Sequence, residues 1–208
     1  MQETAILKHF ERLGVIMHGH FVYTSGKHGP VYLNKDALYP DTETTSRLCQ
    51  AIARRFIESK VQAVVGPALG GIILSQWTAY HLTHMNGKAI PGVYAEKSVG
   101  GFILTRGYDK WIADRRVLIV EDILNTGGSV RKVVDAVRDA GGNVIGVGAL
   151  CNRGKVTAHD VGDVPQLEAL VNITLEVHDP DKCPLCADGV PINTDVGKGR
   201  EFLAEQQA

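Results

Sequence analysis

Glu121 and Asp122 are adjacent carboxylates between an apolar run, Val117-Leu118-Ile119-Val120, and the segment Ile123-Leu124-Asn125-Thr126-Gly127-Gly128-Ser129. Two neighbouring acceptors suit the paired hydroxyls of a sugar and would repel a phosphate, so an anion belongs further along the chain. Thr126, Gly127, Gly128 and Ser129 offer hydroxyls and small residues. Their backbone N–H groups, at the opening of a helix expected over Val130 to Ala140, can surround a phosphate. The whole stretch reads as a sugar-phosphate site, with the acids on the sugar and the turn on its phosphate. No Gly-Lys-Ser/Thr follows, which excludes a P-loop, and G-x-G-x-x-G is absent, which excludes a dinucleotide fingerprint.

A second glycine turn, Gly66-Pro67-Ala68-Leu69-Gly70-Gly71, also follows a short apolar strand and opens a helix. Two such turns at one sheet edge could hold two phosphate groups, although Gly70 and Gly71 could equally serve close helix–sheet packing. Lys97, just after the expected strand Gly92 to Glu96, is placed to neutralise a departing anion, and Arg106 could join it. Arg153, past the expected strand Val144 to Leu150, lies at the same edge as Asp122. Its guanidinium could make two parallel hydrogen bonds to an acidic or carbonyl-bearing ring.

These residues need a scaffold that carries strand ends to one edge. Unbroken apolar runs at Ala63 to Val65 and Val117 to Val120 are the pattern of parallel strands covered on both faces, and ligands of open α/β sheets bind at the carboxyl ends of such strands. Helices are expected at the N-terminus (Ala5, Ile6, Phe10 and Leu13 on one face, ending at Gly14), from Asp41 or Thr42 to Ser59, and over Gly71 to Met85. The alternation predicts an α/β fold, a parallel sheet built from βαβ units and flanked by helices, with a further strand at Ile173 to Val177. Residues 15–38, richer in Gly, His and Tyr, predict a small strand-and-turn hood to which 178–208 could contribute. The core is expected over 42–177 of a single 1–208 domain. The Gly-containing stretch 97–110 reads as too polar to pack and is a candidate flexible lid.

Composition narrows the function. The 208 residues carry 22 Lys and Arg against 23 Asp and Glu, so no broad basic surface for nucleic acid is expected and a small-molecule partner is favoured. No signal-peptide order or membrane-length apolar run is present, and a cytoplasmic location with reduced Cys49, Cys151, Cys183 and Cys186 is expected. Cys183-Pro184-Leu185-Cys186 is half of a zinc-knuckle pattern. No second C-x-x-C or H-x-x-x-H completes it, so a metal would have to borrow Cys151 or His178, and a tight turn is the plain alternative.

The acid pair with its glycine turn resembles the signature of the type I phosphoribosyltransferases. In these the acids meet the ribose of phosphoribosyl pyrophosphate (PRPP) and the turn takes its 5-phosphate. The segment from Gly19 to Lys35, with Phe21, Ser25, Gly26, His28 and Tyr32, resembles the hood of the orotate branch, and Cys183 to Cys186 with Gly189-Val190-Pro191 is similar to the ending of some bacterial members. The resemblance implies transfer of phosphoribose from PRPP to orotate with Mg²⁺ as cofactor, carried mainly by PRPP, no side chain being assigned as a metal ligand. It implies Lys97 and Asp122 as catalytic residues. PRPP would be bound by Lys97, Arg106, Gly70, Gly71 and the run Glu121, Asp122, Ile123, Leu124, Asn125, Thr126, Gly127, Gly128 and Ser129. Asn125, Arg153 and Thr24 would face the base, and a lid that reaches a neighbouring subunit implies a homodimer. Arg153 matches the family's arginine for the orotate carboxylate. Thr24 stands where a lysine is common, Asn125 where a threonine is, Gly70 where many members have lysine, and the lid lacks a lysine and a histidine after Lys97. Another base, or a PRPP-binding regulator without turnover, are the alternatives.

Overall fold

In the computed structural model, which describes residues 1–206, the elements in chain order are α1 (Glu3–Arg12), β1 (Ile16–Val22), β2 (His28–Leu33), α2 (Thr42–Arg55), β3 (Ala63–Pro67), α3 (Gly70–Asn86), β4 (Gly92–Ser98), β5 (Gly101–Ile103), α4 (Asp109–Ile112), β6 (Arg116–Leu124), α5 (Gly128–Asp139), β7 (Asn143–Asn152), β8 (Leu167–Asn172), α6 (Pro184–Ala187) and α7 (Gly199–Gln206). The described residues form two compact units, one of residues 1–6 and 41–173 and one of residues 7–40 and 174–206.

In the first unit six strands form one sheet in the order β5-β4-β3-β6-β7-β8, parallel except for β5 against β4. β6 is central because its residues from Val117 to Asp122 are all buried, a pattern that requires cover on both faces. Its register sets Val117 beside Ala63 and Ile119 beside both Val65 and Val147. On α5, Val130, Val133, Val134 and Val137 recur at helical spacing and are buried in one apolar cluster with Ile119, Val147 and Leu124. Each such fully buried side chain contributes about 1.5–3 kcal/mol. α2 starts at Asp41, whose carboxylate accepts from the Thr44 amide at 2.9 Å. Among the described residues no helix is long and apolar enough to cross a membrane.

Three expectations are corrected. The last strand is β8, Leu167–Asn172, paired with β7, whereas Ile173 to Val177 has no ladder partner although its residues alternate in polarity. β4 continues through Lys97 to Ser98 and turns at Gly100 into β5, with Lys97 opposite Phe102. The stretch 97–110 is not too polar to pack, because Phe102, Leu104 and Tyr108 sit against the apolar cluster.

The second unit is built around the antiparallel hairpin β1–β2, whose register runs from Ile16↔Leu33 to Val22↔His28. The tail attaches to it through backbone pairing. His28 and His178 exchange amide–carbonyl bonds of 2.8 and 2.9 Å, the Asn193 amide donates to the His20 carbonyl at 2.8 Å, and the Lys198 amide donates to Val22 at 2.8 Å. Apolar burial is thin there: of residues 174–206 only Cys183, 3% exposed, and Gly199 are buried.

Candidate active site

Glu121 and Asp122 are not beyond the strand but within it, and both are buried. The Asp122 amide donates to the Glu121 carboxylate at 2.9 Å, and the Ile123 amide donates to the Asp122 carboxylate at 2.7 Å. These bonds to backbone N–H groups fix the orientation of the two carboxylates at the carboxyl edge. Ile123 is half-buried, while Leu124 turns its side chain into the core.

The turn that follows is shaped by glycines. Gly127 has φ +78°, and a Cβ on it would lie 3.0 Å from Val156 and 3.1 Å from Val161, so only glycine fits. α5 begins at Gly128, two residues earlier than expected, leaving Asn125, Thr126, Gly128 and Ser129 exposed; the Thr126 hydroxyl accepts from the Gly128 amide at 3.4 Å. The carbonyl of Leu124 accepts from the amides of Arg153 and Gly154, at 2.9 and 3.1 Å, so the chain leaving β7 lies directly against the chain leaving β6. A Cβ on Gly154 would fall 1.5 Å from the Asn125 carbonyl oxygen. Buried Asn152 holds that crossing by donating to and accepting from the Val156 backbone, both at 2.9 Å. Asn125 and the half-buried Arg153 are thereby brought together.

The second glycine turn has a similar setting at the end of β3. Gly66 and Gly71 approach so closely that a Cβ on Gly66 would lie 2.0 Å from the Gly71 carbonyl oxygen. Packing alone therefore requires Gly66, and also Gly71, whose Cβ would lie 2.6 Å from Pro67, while half-buried Gly70 and exposed Leu69 form the outer rim of the turn.

A pocket of ≈ 440 Å³ lies between the β4–β5 hairpin and the start of α5. Lys97 and Lys132 line it together with Thr126, Gly128 and Ser129. Two cations, several hydroxyls and the N-terminal amides of a helix are groups whose chemistry suits a phosphate. Lys132 is a residue that sequence reasoning missed. Its signal was its place one turn into a helix opened by glycines, obscured by setting that helix start two residues late. Arg106 does not line the pocket. Its Nε and Nη2 donate to Glu96 at 3.1 and 3.0 Å, and the Thr105 hydroxyl donates to the same carboxylate at 2.7 Å. The Thr105 hydroxyl and the Arg106 guanidinium hold the Glu96 carboxyl below its ordinary pKa, and Glu96 raises that of Arg106. Thr24 belongs to the other unit, exposed in the β1–β2 turn. A pocket of ≈ 630 Å³ lined by Lys60, Lys88, Arg115 and Arg116 includes the residues that enter β3 and β6, so it lies at the sheet edge opposite the acids.

Residues 41–174 match the family described as phosphoribosyl transferase domain. The orotate phosphoribosyltransferase of Desulforamulus reducens is 37% identical over 191 residues, covering 92% of this chain and 95% of the relative. That of Thermotoga maritima is 36% identical over 191 residues, with 91% and 96% covered. Among solved structures, orotate phosphoribosyltransferase of Mycobacterium tuberculosis superposes with a TM-score of 0.66 at 21% identity, covering 82% of this chain and 96% of that one. The Aeropyrum pernix enzyme gives 0.62 at 23%, covering 81% and 93%. Both structures share the α/β fold of a mainly parallel sheet between helices. Matched over its core by the domain and over nearly its whole length by these relatives, the chain belongs to the orotate phosphoribosyltransferase family.

Proposed function

We propose that this chain transfers the phosphoribosyl group of PRPP to N1 of orotate, giving orotidine monophosphate and pyrophosphate, as a step of pyrimidine nucleotide biosynthesis. The observation that carries the reading is the continuity of the buried pair Glu121 and Asp122 with a glycine turn whose helix start shares a pocket with Lys97 and Lys132. The relatives' names support orotate as the acceptor.

In the reaction the bond from the sugar's C1 to the pyrophosphate oxygen breaks and a bond from C1 to N1 forms. Positive charge builds on the ribose ring as negative charge departs, so fixed charges and positioning carry the rate and no covalent nucleophile is needed. Glu121 and Asp122 orient the ribose hydroxyls and face the growing positive charge. Thr126, Gly128 and Ser129 hold the 5-phosphate, and Lys97 with Lys132 offsets phosphate charge. Arg106 reaches substrate only on leaving Glu96. Arg153, fixed through Leu124 beside Asn125, takes the base carboxylate by paired hydrogen bonds.

The donors here are hard carboxylate oxygens, which fit Mg²⁺. Glu121 and Asp122 are the protein groups that would hold such an ion together with the pyrophosphate. When bound, Mg²⁺ supplies charge neutralisation on the departing pyrophosphate. The reading extends to a cytoplasmic homodimer in which the β4–β5 hairpin tip, with Val99 fully exposed, reaches the neighbouring subunit.

The deciding experiment follows pyrophosphate release from PRPP and Mg²⁺ with orotate, uracil and purines in turn. Release is expected with orotate alone. Turnover of another base instead would reassign the acceptor, and binding of PRPP with no release on any base would make the protein a regulator. Arg153→Ala is expected to raise the KM for orotate at least about tenfold, or 1.4 kcal/mol, with little change for PRPP.

A further inference from the structure

Within the second unit, His20, His28, Cys183 and Cys186 place one ligand atom each within 4.8 Å of the others. His20 Nε2 lies 2.9 Å from His28 Nδ1, 3.6 Å from Cys183 Sγ and 3.7 Å from Cys186 Sγ, and Cys186 Sγ lies 3.3 Å from His28 Nδ1. A tetrahedral ion with nitrogen ligands at about 2.0–2.1 Å and sulfur ligands at about 2.3 Å sets its neighbouring ligand atoms roughly 3.3–3.8 Å apart. The three N–S separations fall in that range, and the N–N edge needs to open by only a few tenths of an ångström.

The surroundings prepare these atoms for an ion. His20 Nδ1 lies 2.8 Å from the Val190 carbonyl, an acceptor, so Nδ1 carries the proton and the Nε2 lone pair points into the cluster. His28 is fully buried and its Nδ1 faces the cluster, 3.3 Å from Cys186 Sγ. Cys183 opens the short helix α6, and Cys186 follows within that single turn, exposed and able to admit an ion. The expected donors Cys151 and His178 are not part of the group: burial in β7 pushes the Cys151 thiol up to about 12, and His178 contributes its backbone to β2.

We propose that His20, His28, Cys183 and Cys186 bind one Zn²⁺ as a structural site that ties the β1–β2 hairpin to the C-terminal tail. Two thiolates and two imidazoles are the donor set of tetrahedral Zn²⁺, and four protein ligands leave no position for a substrate. Cys183 and His20 stand 163 residues apart, so the ion closes a long loop where the tail buries almost no apolar surface.

The test uses the full chain purified without chelator or tag-affinity metal. Elemental analysis is expected to find one Zn²⁺ per chain. Exchange with Co²⁺ is expected to give the near-ultraviolet thiolate-to-metal charge-transfer band and intense visible bands of a tetrahedral S₂N₂ centre. Cys186→Ser, a conservative change at the exposed ligand, is expected to lower metal retention against a chelator at least tenfold and to weaken the charge-transfer band. Absence of bound metal with no Co²⁺ thiolate band would overturn the proposal, as would a Cys183–Cys186 disulfide in the purified chain or a Co²⁺ spectrum unchanged in Cys186→Ser. None of these readouts involves PRPP or orotate, so the result stands apart from the assignment of the transferase site.

Discussion

The sheet unit and the hairpin-and-tail unit are held together by different physics. In the first, β3, β6 and β7 lie between helices, and valines and leucines fill the space. In the second, two strands and a tail are joined by backbone bonds and by a knot of imidazoles and thiols, and among its described residues the buried apolar side chains are only Phe10, Val15, Phe21, Val22, Tyr23, Leu33, Leu38 and Cys183. Two layers of secondary structure can bury enough apolar surface to stand, whereas a small unit without them needs a cross-link. The same chain therefore shows where apolar burial suffices and where it does not.

The sharpest way to break this contrast is at a glycine of the sheet unit that has no room for a side chain. Gly154→Ala would drive a methyl into the Asn125 carbonyl, and about 4 kcal/mol of stability is expected to be lost, at the upper end for single substitutions. Urea unfolding measures the loss, and PRPP-dependent pyrophosphate release is expected to fall with it because the turn must move. Leu118→Ala, at a fully buried position of β6, is expected to cost about 3 kcal/mol, and by the same amount with and without chelator. A chelator-dependent cost would mean that the two units do not draw on separate sources of stability. Limited proteolysis should show the converse: with chelator, new cleavages are expected in 7–40 and 174–206 while 41–173 stays intact. A smaller effect is expected at Lys132. Lys132→Ala should raise the KM for PRPP about tenfold, or 1.4 kcal/mol, without moving the unfolding midpoint. Arg106→Ala should do less, since its guanidinium is occupied by Glu96.

What could be read from residues alone follows the same division. The sheet unit announces itself because its signals are local: Val117 to Val120 is a buried strand by its run of apolar residues, and the acids and glycines that follow stay beside it in space. Ile173 to Val177 misled because polarity alternation gives a strand-like pattern without stating whether a partner strand exists, and Leu167–Asn172 held the place beside β7 instead. Arg106 looked available because sequence spacing does not reveal that the turn after β5 folds it onto Glu96. The cluster in the second unit was only half visible. The pair at Cys183 and Cys186 is a local pattern, but His20 and His28 are joined to it by tertiary pairing of the hairpin with the tail, which no spacing rule encodes.

The pairing of His20 with Ile192 and of His28 with His178 also fixes an order of events during synthesis. The hairpin leaves the ribosome before any strand of the sheet, and the segment that pairs with it leaves after all of them. The sheet residues can fold as they appear, while β1 and β2 wait with open edges for partners made after β8. A nascent chain stopped after β8 would carry a finished sheet and an unfinished hairpin.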